Sequence, residues 1–172
     1  MSALIPMGLE DDAGRTPPRT WIIPIVSVML GSLATIVPVI FPGGLLPPLG
    51  LMMLLAWRLL RPESLKIWTP VLLGLFDDLL SGQPFGSAML LWTLCFFVIE
   101  LIEIRLVFRD FWQDWLIAAG AIGFTLLAGR ALASPIEAHV DTIMALQILV
   151  SILVFPLIAR LVARLDRTRL RA

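Results

Sequence analysis

Asp77 and Asp78 stand side by side in the run Gly74-Leu-Phe-Asp-Asp-Leu-Leu-Ser-Gly-Gln-Pro-Phe-Gly86, in the middle of an otherwise apolar stretch. Paired carboxylates of this kind hold magnesium in the aspartate-rich DDxxD motif of polyprenyl synthases. Here the fifth position is Ser81, and no second aspartate-rich run follows. The spaced aspartates and arginine of CDP-alcohol transferases are absent as well. Glu137, His139 and Asp141 form a second polar group, which reads as a solvated loop in preference to a metal site. Catalysis is not supported, and neither a metal nor a cofactor is expected.

The carboxylates carry a cost whatever they do. In a membrane, each costs on the order of 2.5–3.5 kcal/mol at the bilayer centre and less toward its edges. At the end of their own helix they also face the negative pole of its dipole. Arg130 is the one basic residue expected on the same side, so an Asp78–Arg130 ion pair is the predicted compensation.

That argument presumes a bilayer, and the composition supplies one. Of the 172 residues, 59% are hydrophobic and 15% charged, against roughly 45–50% and about 25% in soluble domains. The apolar residues fall in nearly uncharged blocks separated by charged clusters. Hydrocarbon offers no water to backbone groups, so only helices or closed barrels cross it. The blocks lack the period-two alternation of barrel strands. The predicted fold is therefore all-α, a polytopic bundle of about six transmembrane helices at 21–41, 45–60, 65–81, 85–104, 112–130 and 142–163. Residues 1–20 read as a cytoplasmic tail. Its acidic start and the long apolar run behind it do not suit a signal peptide. Residues 164–172 read as a basic cytoplasmic tail.

Charge placement predicts the orientation. With the N-terminus inside, Arg15, Arg19, Arg58, Arg61, Lys66, Arg105, Arg109, Arg160, Arg164, Arg167, Arg169 and Arg171 are cytoplasmic, and of the 13 basic residues Arg130 alone is outside, as the positive-inside rule requires. Trp21, Trp57, Trp68, Trp112 and Trp115 are predicted at the cytoplasmic interface, where indole rings prefer to lie. Residues 100–115 suit either an interfacial helix or an extension of the fourth span. The zero net charge disfavours a nucleic-acid partner, which needs a basic face.

Small residues at four-residue spacing, Ser27, Gly31 and Thr35 in the first span and Ala119 and Gly123 in the fifth, permit close helix approach. They suit packing within the bundle or, for the first span, docking of a partner's helix. Cys95, the single cysteine, reads as a packing residue.

The order and spacing of Gly74, Asp78-Leu-Leu-Ser-Gly82, Pro84 and Phe85-Gly86 resembles the signature of the MreD family of bacterial rod shape-determining membrane proteins. The Asp-Asp pair looks like the alphaproteobacterial form. The proline-and-basic break after the second span and Phe155-Pro156 before a basic tail extend the likeness over most of the chain. This resemblance implies a non-enzymatic inner-membrane subunit of the cell-elongation complex. It would associate with MreC and, through one complex, with MreB, a RodA-type glycosyltransferase and a class B penicillin-binding transpeptidase. It also implies a fold similar to the substrate-binding subunits of energy-coupling-factor vitamin transporters. A solute-binding transporter subunit is the competing reading, and its pocket would draw on Thr93, Glu100, Thr125, Gln147 and Ser151. A membrane enzyme acting on lipid-linked precursors rests on the Asp pair alone.

Overall fold

A computed structural model of the chain describes residues 19–35, 46–82, 84–105, 110–133 and 142–171. They form six α-helices: α1 (Arg19–Ala34), α2 (Leu49–Leu60), α3 (Thr69–Ser81), α4 (Ser87–Arg105), α5 (Phe111–Ala133) and α6 (Thr142–Arg171), with a 3-10 turn at Pro62–Ser64. No strand occurs among the described residues. The last three helices are each long and apolar enough to cross a membrane, which agrees with a helical membrane bundle.

The bundle is organised around α2. Its sequence, LGLMMLLAWRLL, is apolar all round except for Arg58, and every residue from Gly50 to Leu59 is buried. A helix apolar on every face belongs in a core, and α1, α4, α5 and α6 all pack on it. At 12 residues it is about 18 Å long. Enclosed by protein, it has no need to match the bilayer by itself. The axes of α1 and α2 come close because Gly31 and Gly50 face each other. A Cβ on Gly31 would sit 3.1 Å from the Leu49 carbonyl oxygen, and one on Gly50 only 2.2 Å from the Ser32 hydroxyl.

This interface accounts for the small-residue face of the first span. Ser27 and Gly31 are buried. The Ser27 hydroxyl donates to the Pro24 carbonyl at 2.8 Å and accepts from Trp57 Nε1 at 2.8 Å. Thr35 bonds back to the Ser32 carbonyl at 2.5 Å. The face is taken by α2, so a partner's helix finds Ser27 and Gly31 already covered. Ala119 is half-buried, and Gly123 has nothing within 4 Å of where a Cβ would be.

Tryptophan placement departs from the sequence expectation at two of five positions. Trp21, Trp68 and Trp112 are exposed, as interfacial rings would be. Trp57 is fully buried in the core and held by Ser27, while Trp115 is half-buried and donates to the Ile152 carbonyl of α6 at 3.2 Å. Both spend their indole N–H inside the bundle. The sixth helix also runs further than predicted. It continues without a break past residue 163 to Arg171, so the described part of the expected tail is helical. Residues 101–105 close α4 and 111–115 open α5. They form no separate interfacial helix, and 106–109 lie outside the described residues.

Two ion pairs, one buried and one with an exposed arginine, tie the helix ends together. Arg58, 7% exposed, meets Glu103 of α4 at 2.8 Å and donates to the Pro62 carbonyl at 3.1 Å. Its guanidinium carbon lies 4.7 Å from the centre of the Phe96 ring, a cation–π distance. Arg61 at the end of α2 pairs with Asp166 of α6 at 3.1 Å.

Candidate functional site

The acidic motif closes the joint between α3 and α4, which pack together along their length. Gly74 and Asp78 are one turn apart on α3 and both face α4. A Cβ on Gly74 would stand 2.6 Å from Met89 Cα, 2.8 Å from its backbone nitrogen and 2.9 Å from the Ala88 carbonyl oxygen. Only glycine admits that approach without a backbone shift. It brings the first turn of α4 within reach of the Asp78 side chain, four residues further on.

Asp78 is 4% exposed, and its carboxylate caps α4. Oδ1 accepts from the Ala88 N–H at 2.8 Å and the Ser87 hydroxyl at 3.2 Å. Oδ2 accepts from the N–H groups of Gly86 and Met89 at 3.0 and 3.1 Å. The first N–H groups of any α-helix lack partners within the helix and are ordinarily met by a Ser, Thr, Asp or Asn side chain at its N-cap. At that position α4 has Gly86, which has no side chain to offer. The neighbouring helix supplies the acceptor in its place. The Ser87 N–H bonds the Pro84 carbonyl at 3.0 Å, and the Leu90 N–H bonds Gly86 at 3.0 Å. Every N–H from Gly86 to Leu90 is thereby satisfied.

The connection needs two left-handed residues, and both are glycine. Gly82 ends α3 at φ 64° and Gly86 opens α4 at φ 91°, conformations that side chains with a Cβ resist. Gly74, Asp78, Gly82 and Gly86 thus recur every four residues, and they serve in turn for close approach, capping, helix termination and the turn into α4. Ser81 and Pro84 are exposed. Asp77 is half-buried beside the clasp, and the buried Ser32 hydroxyl of α1 has no hydrogen-bond partner among the described residues.

This geometry corrects the predicted Asp78–Arg130 pair. The positive end of the α4 dipole, together with its N–H groups, offsets the charge of Asp78. Arg130 is on an exposed face in the last turns of α5, a helix whose neighbours are α2, α4 and α6. Sequence reasoning pairs one charged side chain with another and overlooks the helix end, which is no residue type. The signal is present in Gly86: a helix whose N-cap lacks a side chain needs an outside acceptor.

Four donors on two oxygens fill the acceptor capacity of a carboxylate. Asp78 is therefore committed to structure, with no lone pair spare for a metal or a proton in transit. Four of the five polar groups proposed for a solute pocket are similarly engaged, and the fifth, Glu100, is half-buried near the end of α4. Thr93 bonds Met89 and Ser151 bonds Gln147, each within its own helix; Thr125 does the same with Ala121, and Gln147 reaches the Leu46 carbonyl. Of the five, Thr93 alone lines one of the four described grooves. The grooves on either side of α4, about 570 and 560 Å³, are lined by apolar side chains such as Val71, Leu90 and Phe97 on one side and Leu94, Ile117 and Phe124 on the other. Cys95 is buried, its Sγ 3.9 Å from the Ala121 carbonyl oxygen, which suits a packing residue. Glu137, His139 and Asp141 lie outside the described residues. Among the described residues no group of three or more metal-ligating side chains occurs.

The family model of the rod shape-determining protein MreD matches residues 18–165. No curated protein and no solved structure matches the chain. The family match takes in all of α1 to α5, most of α6, and the whole of the Gly74–Gly86 joint. By that match the chain is a membrane protein of the MreD family, with a role in determining rod shape.

Proposed function

We propose that this chain is a non-enzymatic scaffold of the cell-elongation complex in the bacterial inner membrane, with both termini in the cytoplasm. It works by presenting a rigid set of helix faces to MreC and, through the same assembly, to MreB, a RodA-type glycosyltransferase and a class B penicillin-binding transpeptidase. The observation that carries the reading is the Asp78 clasp. A carboxylate that could serve chemistry is consumed in fixing α3 against α4. That is the design of a part valued for its shape.

Of the motif residues Gly74, Asp77, Asp78, Ser81, Gly82, Pro84 and Gly86, five are functional in this reading because they set the angle of the α3–α4 joint, and Asp77 and Ser81 flank them. Complementation of a depleted strain tests it. Asp78→Ala, expressed at wild-type level in the membrane, should fail to restore rod shape and should recover less MreC on co-purification. Normal rods with undiminished MreC recovery would overturn the reading.

A further inference from the structure

Leu149, Leu153, Leu157, Arg160, Arg164 and Arg167 follow one another along α6 at intervals of three or four residues, the spacing of a single helical stripe. All six are exposed. The stripe is leucine up to 157 and arginine from 160 onward, a change completed within about 4.5 Å of helix. Measured from Thr142 at ~1.5 Å per residue, Arg160 and Arg167 fall about 27 and about 38 Å along, on either side of the ~30 Å hydrocarbon thickness.

The opposite face of α6 is buried through Phe155, Val162 and Asp166. Asp166, the one acid of this helix, turns inward to Arg61. No acid among the described residues pairs with the three outward arginines. A separate apolar groove of about 550 Å³ runs between α1, α2 and another face of α6, lined by Ile22, Val26, Leu30, Met53, Leu161 and Leu165. An exposed apolar stripe thus passes directly into three cations that have no acidic partner among the described residues.

We infer that this face is a binding site for an anionic glycerophospholipid, with the phosphate on Arg160, Arg164 and Arg167 and an acyl chain along the leucine stripe. A neutral zwitterionic lipid fits the leucines equally but leaves the arginines without a net counter-charge. An acidic protein partner would match the arginines but gives no reason for the leucine half of the same stripe.

The test uses the full chain reconstituted in bilayers of equimolar phosphatidylglycerol and phosphatidylcholine, gently extracted, with the retained lipid quantified by mass spectrometry. The wild type should retain phosphatidylglycerol well above its bulk share. Near an anionic surface each basic residue contributes about fivefold in affinity. Arg164→Gln should therefore cut the enrichment several-fold, the triple Arg160→Gln/Arg164→Gln/Arg167→Gln change should abolish it, and the triple lysine replacement should retain most of it. The single variant leaves the buried face of α6 intact and keeps the test open should the triple variant fail to insert. Retained lipid that mirrors the bulk mixture in the wild type would overturn the inference. So would glutamine variants of full helical content that keep the enrichment, or a wild type whose arginines recruit only a soluble acidic protein.

Discussion

Replacing Asp78 by alanine removes the acceptor for four donors at once, and the cost can be assembled from the geometry. Loss of a helix N-cap costs about 0.5–2 kcal/mol. Gly86, Ala88 and Met89 would also be left with backbone N–H groups lacking their acceptor, at about 1–3 kcal/mol for each that stays buried. The turn at Phe85 is exposed, so water can reach the outer donors. The cap figure already covers the donors that water reaches, so only the buried Ala88 N–H is added to it, and the sum is about 1.5–5 kcal/mol. For a chain of this size it corresponds to a fall of roughly 3–20 °C in the melting temperature, measured in detergent by tryptophan fluorescence or circular dichroism. Asp78→Asn separates charge from shape. It keeps one oxygen but sets an amide N–H₂ against two backbone donors, so it should be nearly as damaging as alanine. A melting temperature within about 2 °C of wild type for Asp78→Ala would refute the clasp, being below the smallest shift this cost allows. So would an asparagine variant that behaves as wild type, since it would show that the second oxygen is not used.

Gly74→Ala should destabilise by about 1–3 kcal/mol, because the new methyl meets the Met89 and Ala88 backbone and overpacking costs that much. Combined with Asp78→Ala it should add less than the sum of the two single effects, since both changes open the same joint; a thermal double-mutant cycle reads the difference. Glu103→Gln leaves the Arg58 guanidinium buried without its counter-charge and should cost about 3–5 kcal/mol, with Arg58→Met/Glu103→Leu recovering much of the loss in the same assay. Trp57→Phe removes the bond to Ser27 and should cost about 0.5–1.5 kcal/mol beyond the packing change; equal melting of Trp57→Phe and Trp57→Phe/Ser27→Ala would show that the hydroxyl matters only to the indole.

The all-helical membrane bundle is legible because apolar blocks and charge breaks are properties of the sequence itself. In the structure α4 ends at Arg105 and α5 runs from Phe111 to Ala133. What the sequence hides is set by neighbours. Trp57, next to Arg58, reads as an interfacial ring, but its surroundings are Ser27 and the core. Arg58 and Arg61 read as topological markers, whereas both pair with acids 45 and 105 residues away in sequence. The shortness of α2 makes sense only once four helices are seen to enclose it. The expense of two carboxylates marks the Gly74–Gly86 motif in the sequence, but their compensation points falsely to Arg130 because a dipole has no letter there.

The clasp has a consequence for biosynthesis. All four donors that neutralise Asp78 lie only eight to eleven residues downstream of it. The acid therefore brings its own neutralising groups as the nascent hairpin enters the lipid, with no wait for the fifth and sixth helices to be made. Charged residues that depend on distant partners must cross the insertion machinery bare; this one travels already solvated by the chain that follows it.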